Sequence, residues 1–268
     1  MKLTTVAPFG FKGFPEDRVL PFLRGSGVED VHVVRDYEVK YAPDKVLQLL
    51  HAYDLQAESY HSDHGPHIDL SHPDPDARRR ALDRLADEAR FARDIHVTRL
   101  VIHSCGTEGG DPSHRRDHFR DAVNRLAVLA DQLDVTFFIE NMPPSFSYGV
   151  AVAELVGDIQ SARSDRLGLC FDTGHAHMGP LSVARQIADS QGFIHYIHAH
   201  DNNGREDQHL LPFTGTIDWD AVHQALIGVK CDPVFCLEVF EPLDVLQRKV
   251  TAQWWERLHA FLGDQRAG

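Results

Sequence analysis

Residues 99–140 read RLVIHSCGTEGGDPSHRRDHFRDAVNRLAVLADQLDVTFFIE. The stretch opens and closes on short apolar runs, RLVIH (99–103) and TFFIE (136–140). Between them Phe119, Val123, Leu126 and Leu129 recur at helical spacing over 114–132. A run that is apolar throughout, rather than alternating, fits a parallel strand buried on both faces. The stretch is therefore a strand–helix–strand unit, and each strand ends on a chemically potent side chain, His103 and Glu140.

The same pattern continues in both directions. Upstream lie the strand-like runs KLTTVAP, VEDVHVV and LQAESY; downstream lie RLGLCF, FIHYIH and VFCLE. Helical patterns fall at 16–24, 43–53, 76–93, 150–161, 181–190, 219–228 and 243–262. Pro43 suits the first turn of its helix, and Ala81, Leu82, Leu85, Ala89 and Ala92 form one apolar face. Strict alternation of eight strands with eight helices implies a parallel sheet with helical crossovers. Eight units in about 260 residues point to the α/β class and a single closed (β/α)8 TIM barrel over 1–268. The alternative, a doubly wound open sheet, needs a glycine-rich phosphate turn after its first strand, and APFGFKGF matches that poorly.

The chain of 268 residues carries 40 acidic and 27 basic side chains, a net charge of −13, and only six of the basic residues are lysine. No basic stripe of the kind that tracks nucleic acid or anionic membrane is evident. The run Arg78-Arg79-Arg80 sits in a helix rich in Asp and Glu and reads as a solvated face. No stretch approaches the 18 or so apolar residues of a membrane span, and the N-terminus lacks a signal-peptide core. Cys105, Cys170, Cys231 and Cys236 match no disulfide or CxxC spacing, so reduced thiols and a cytoplasmic location are expected. Trp254-Trp255 suits packing or a homo-oligomer contact.

In a parallel barrel all strand ends share one rim, where catalytic residues gather. LQAESYHSDH closes with His61 and His64, RLVIH with His103, TFFIE with Glu140, RLGLCFD with Asp172, FIHYIH with His198 and VFCLE with Glu238. Acids and imidazoles converging on one axis repel or stay unsatisfied unless a cation binds them. Glu140, Asp172, His198 and Glu238 form a mostly oxygen set suited to Mn, Mg, Co or Zn. The bland reading of each acid is a cap on the next helix. His64 and His103, sharing Glu140, form a second set for another metal or for substrate, with His61 and His67 competing for the role of His64. His175 (DTGH) with Asp207 and His209 (DQH) form a third that resembles a catalytic zinc shell; its bland reading is a loop-ordering pair. Two or three metals are thus expected at most. His32, His51, His96, His114, His118, His223 and His259 default to packing or surface positions. His200 and Arg205 are candidate substrate contacts, and Arg35 and Arg205 the only cations near a strand end.

FIEN, CFDTGHAH, HAHDN followed by DQH, GTIDW and CLEVF resemble the xylose isomerase-like TIM-barrel superfamily, over about His61 to Glu238. That group contains sugar isomerases and epimerases and the endonuclease IV-type apurinic endonucleases. The epimerase pattern implies one divalent metal on Glu140, Asp172, His198 and Glu238, with Glu140 and Glu238 moving the proton beside a carbonyl. The endonuclease pattern implies His64 and His103 with Glu140, and His175 with Asp207 and His209, as further ligands; all nine positions are filled. Three departures stand out. His67 occupies the place of the endonucleases' DNA-intruding tyrosine. NMPPS follows Glu140 in place of a small-residue turn. Phe213, in LPFTGTIDW, replaces a glycine, which puts close backbone approach to a ligand in doubt.

These features favour a metal-dependent isomerase, epimerase or related lyase acting on a small sugar-like polyhydroxy-carbonyl substrate. With so few lysines and no strand-end Arg cluster, the substrate is expected to be unphosphorylated. The alternative is a multinuclear zinc phosphodiesterase, the one reading that brings in nucleic acid. A non-catalytic barrel would carry a degraded ligand set, and this one is complete.

Overall fold

In the computed structural model, which describes residues 1–39, 41–109 and 114–263, eight parallel strands close into a barrel in sequence order. They are β1 (Lys2–Phe9), β2 (Asp30–Arg35), β3 (Gln56–His61), β4 (Arg99–His103), β5 (Thr136–Glu140), β6 (Leu167–Asp172), β7 (Ile194–Ala199) and β8 (Val234–Leu237). β8 pairs back onto β1, with Lys2 opposite Val234. The chain is a (β/α)8 TIM barrel, as its alternation predicts.

The surrounding helices are α1 (Glu16–Gly25), α2 (Pro43–Ala52), α3 (Pro75–Asp94), α4 (Arg115–Leu133), α5 (Val152–Ser161), α6 (Thr173–Met178), α7 (Val183–Asp189), α8 (Trp219–Val229), α9 (Leu243–Lys249) and α10 (Ala252–Leu262). Ten helices among the described residues exceed the eight expected. The 243–262 pattern divides because Thr251 leaves the helical conformation and caps α10, accepting from the Trp254 amide. The short α6 is invisible as a periodic pattern, since TGHAHM has no apolar face; Asp172 starts it by accepting from the His175 amide at 2.6 Å.

Two apolar layers hold the barrel. Between sheet and helices lies the large core, with Phe9, Phe119, Phe137, Phe171 and Phe235 all fully buried. Inside the barrel, Val6, Val34, Val101, Phe138, Cys170, Tyr196, Val234 and Cys236 pack together. Side chains alternate faces along a strand. The residues two places after Val101, Phe138, Cys170, Tyr196 and Cys236 therefore also point inward, and they are His103, Glu140, Asp172, His198 and Glu238. Cross-strand register sets them side by side: His103 opposite Glu140, and Asp172 opposite His198. All four cysteines are free thiols, and no helix among the described residues is long and apolar enough to cross a membrane. Trp254 is buried against the barrel, its indole N–H donating to Pro212 O at 3.0 Å, while Trp255 stacks on His259.

Candidate metal centre

The C-terminal mouth of the barrel opens into a cleft of about 460 Å³. Its polar lining includes His61, His64, His103, Glu140, His175, Asp207, His209 and Glu238; its apolar lining includes Phe11, Met142, Pro143, Phe146, Met178 and Phe240. Among the described residues, no Lys or Arg lines it.

Glu140 lies at the centre. Its Oε1 is 3.0 Å from His198 Nδ1, and its Oε2 is 3.5 Å from both His61 Nε2 and His103 Nε2. From β8, Glu238 Oε2 reaches the same His198 Nδ1 at 3.3 Å. Asp172 Oδ1 accepts from the His175 amide and lies 3.0 Å from His200 Nε2. Both readings of Asp172 are thus visible in one carboxylate: it caps α6 and also faces the cluster. His175 Nε2 and His209 Nε2 each lie 3.2 Å from Asp207 Oδ2, and His209 Nδ1 is 3.6 Å from Glu238 Oε2. The His64 ring lies 4.9 Å from that of His103.

The loop after β7 delivers Asp207 and His209. It is pinned by Asp201, whose Oδ1 accepts from the Asn202 and Ile217 amides and whose Oδ2 accepts the Trp219 indole N–H at 2.8 Å. An antiparallel bridge from Asp201 to Leu210 closes the loop. The GTIDW and HAHDN motifs are therefore two halves of one clasp. Gly174 completes the arrangement: a Cβ there would stand 1.9 Å from the His200 ring that backs Asp172.

Burial drives the electrostatics. It would raise the Glu140 carboxyl, but the His198 imidazole, its hydrogen bond to Glu140 and the nearby His61 and His103 rings outweigh it and hold Glu140 well below its ordinary range. Glu238 goes the other way: burial, then Glu140, Asp172 and Asp207, push it well above the usual carboxylate range. Burial lowers His175 too, but Asp172, with help from Asp207 and Glu140, carries it up to about 10. His64 is pushed down to about 4 by burial and then by His61.

Several atoms of this floor are buried with no hydrogen-bond partner among the described residues: Glu140 Oε2, Glu238 Oε2, His198 Nε2 and His200 Nδ1. Buried polar atoms are nearly always paired. Here the two orphaned carboxylate oxygens suit a positive partner, and a mixed carboxylate–imidazole donor set is what a divalent cation takes. Groups of three possible ligands recur across the floor, among them His61–His198–Glu238, His61–His103–Glu140 and Asp172–His175–His200. The residues fit a metal.

A family model described as a xylose isomerase-like TIM barrel matches residues 10–261. The chain belongs to the xylose isomerase-like TIM-barrel family. Among relatives of this family member, the uncharacterised MJ1311 of Methanocaldococcus jannaschii is 26% identical over 235 residues, covering 82% of this chain and 75% of the relative. A probable endonuclease 4 of Acholeplasma laidlawii is 23% identical over 175 residues, 59% of this chain and 60% of that one. In structure, a D-tagatose 3-epimerase-like protein superposes with a TM-score of 0.78 at 18% identity, over 97% of this chain and 99% of the other. The TTHB071 protein of Thermus thermophilus, solved after soaking with ZnCl2, gives 0.72 at 22% identity, over 100% of both chains. At these identities the superpositions speak for the fold.

Within the family pattern, the departures have structural outcomes. His67 is exposed and tied to its own loop, Nε2 lying 2.9 Å from Asp63 Oδ2. Asn141 of NMPPS locks β5 to β6, its side chain accepting from the Asp172 amide and donating to the Asp172 carbonyl. Phe213 adopts φ +73°, the left-handed conformation a glycine would take, while its ring packs on Trp219 and Phe261. That conformation costs about 1–2 kcal/mol in a non-glycine residue, and aromatic packing offsets it.

Not every expected contact reaches the cleft. His200 is fully buried behind Asp172 and stacked on His209 at 4.0 Å, so it serves Asp172 rather than the cleft wall. Arg205 is exposed on the β7 loop and off the cleft wall. Arg35 turns outward to Glu88 at 2.8 Å and lies over Phe91. Conversely, His61 stands in the ring itself, on the inward phase of β3, and His64 reaches the cleft from the following loop. His32, expected to be ordinary packing, lies directly beneath His198 in the barrel interior. The two-residue phase of VHVV and ESYH is the sequence signal that would have placed both.

Proposed function

We propose that this protein is a divalent-metal-dependent isomerase or epimerase of a small, unphosphorylated sugar or related polyhydroxy-carbonyl compound. One observation carries the reading: Glu140 and Glu238, from β5 and β8, approach the same His198 nitrogen at the floor of a small cleft with apolar walls and, among the described residues, no Lys or Arg. Two carboxylates brought to one point from separate strands can address two faces of one carbon.

Glu140, Asp172, His198 and Glu238 would hold the metal. When bound, it would supply Lewis acidity that makes the hydrogen beside a carbonyl more acidic. Glu140 and Glu238 then divide the proton work: one carboxylate removes the proton from the carbon, and the other, protonated, returns a proton to the opposite face. Phe11, Phe146 and Phe240 exclude water from the exposed carbanionic carbon. A wall whose described residues include no Lys or Arg disfavours a phosphorylated substrate. Solved structures described as L-ribulose 3-epimerase and D-psicose 3-epimerase with D-fructose share the barrel, which supports this reading of the site.

A second reading has its own observation. His64, His103, His175, Asp207 and His209 line the same cleft as Glu140 and Glu238, so a site for two or three metals hydrolysing a phosphodiester is chemically complete. The Acholeplasma relative's description points the same way. The experiment is metal analysis of chelator-free protein, followed by solvent-deuterium incorporation into a ketose panel and nicking of abasic DNA. One exchangeable Mn, Mg or Co with deuterium uptake supports the epimerase. Three zinc with DNA nicking and no exchange overturns it.

A further inference from the structure

Below the floor of the cleft the barrel interior holds a second polar layer that the proposed reaction does not use. His32 of β2 is fully buried. Its Nδ1 lies 2.8 Å from Ser59 Oγ and 3.3 Å from the Tyr196 hydroxyl, and those two oxygens are 2.6 Å apart. Among the described residues its other nitrogen, Nε2, has no partner, and neither has Nε2 of His198. The two rings meet edge to face, 5.2 Å between centroids and 65° between planes. His32, His198 and Cys236 each offer a donor atom within 4.8 Å of the others.

A neutral imidazole has one N–H and one lone pair. His198 turns Nδ1 toward Glu140 and Glu238. For that nitrogen to offer its lone pair to a cation, the ring proton must sit on Nε2. An N–H buried at that depth without an acceptor is left with its full desolvation penalty. On the neighbouring ring, 5.2 Å away between centroids, the unpartnered nitrogen is Nε2 of His32. It presents a lone pair when His32 Nδ1–H donates to Ser59 Oγ, which leaves the serine hydroxyl free to donate to Tyr196.

We infer that His32 is a positioning residue for the metal centre: when His198 Nδ1 holds a divalent cation, the Nε2–H of His198 turns to the lone pair on His32 Nε2, a contact the structure brings within reach but does not make, and this fixes the tautomer and ring orientation of His198. The inference rests on the metal-site reading above. Partners of this kind typically tune metal affinity by roughly 10- to 100-fold. The competing acceptor, the Cys236 thiol, is a weak one.

The test uses the full chain, stripped with chelator and reloaded with Zn2+. Competition with a chromophoric chelator reads affinity, and long-range ¹H–¹⁵N NMR of the zinc-loaded wild type reads which His198 nitrogen carries the proton. The expected results are a proton on His198 Nε2, a roughly 10- to 100-fold weaker affinity in His32→Phe, and partial recovery in His32→Gln, whose carbonyl can still accept. The inference fails if zinc-loaded wild type shows no proton on His198 Nε2. It fails equally if His32→Phe folds and binds zinc as tightly as wild type, or if Cys236→Ala carries the loss instead. Wild-type protein that takes up no divalent cation overturns the metal reading as well; zinc bound with His198 Nε2 bare overturns this inference alone.

Discussion

At the N-terminal mouth of the barrel, Arg99 bonds Glu58, and its guanidinium lies 5.3 Å from the Phe138 ring and 5.8 Å from that of Tyr196. At the C-terminal mouth, Glu140, Asp172 and Glu238 share a floor with imidazoles. Both ends bury carboxylates within one set of strands. At the first, a permanent cation neutralises the acid, and the aromatic rings beneath it make a plug. At the second, the partners are weak bases, and among the described residues no Lys or Arg lines the cleft. Charge satisfied from within the chain stabilises a fold; charge left for an outside partner marks a site.

The sharpest way to break this contrast is to remove charge from the C-terminal floor. Glu238→Gln should lower turnover by roughly 10²- to 10⁴-fold, the scale of general acid–base catalysis, while the thermal midpoint of chelated protein barely moves, because burial and the neighbouring carboxylates already favour the uncharged form of Glu238. Steady-state rates and thermal melts of the same sample check both halves. A large loss of apoprotein stability would show the floor to be structural after all.

The opposite mouth should respond in reverse. Arg99→Ala leaves the buried Glu58 carboxylate without its partner and should cost about 1–3 kcal/mol in denaturant melts, with metal content unchanged. Equal metal loss in this variant would erase the distinction between the two ends.

Acidity sharpens the comparison further. In cation-free protein His175, carried up to about 10 by Asp172 and Asp207, holds a proton near neutrality, and burial with the surrounding carboxylates makes Glu238 hold its proton more tightly than an ordinary carboxylate. A cation held by Glu238 must displace the proton that carboxyl binds, so affinity should rise with pH wherever Glu238 is protonated, by about tenfold per pH unit for each proton released. Calorimetry in buffers of different ionisation enthalpy counts them, and pH-independent binding would contradict the assignment. The smallest effect expected is at the rim: His209→Ala should reduce epimerisation less than about tenfold, because His209 contacts Asp207 and only the edge of Glu238. A loss equal to that of Glu238→Gln would favour the multinuclear hydrolase.

Much of this was legible in the chain. The eight apolar runs and the helices between them are local patterns, and local patterns survive without tertiary information. Glu140, Asp172, His198 and Glu238 could be placed because each ends such a run. α6 escaped because TGHAHM is held by one cap and by burial rather than by periodicity. The 243–262 helix divides at Thr251 for a reason of capping. His200 looked like a ligand contact from its place in HAHDN, yet the inward turn that makes it useful puts it behind Asp172.

The order of strands, the closure of the barrel and the end at which its chemistry gathers were set by composition and spacing alone, because burial on two faces demands continuous apolar runs and crossover helices demand parallel strands. Which imidazole touches which carboxylate belonged to the folded molecule. Strand register and the alternation of inward side chains brought His61 and His32 into line with Glu140 and His198, and the Asp201–Trp219 clasp carried Asp207 and His209 to the rim. Those contacts join residues tens to more than a hundred positions apart, and only the closed barrel brings them within reach of one another.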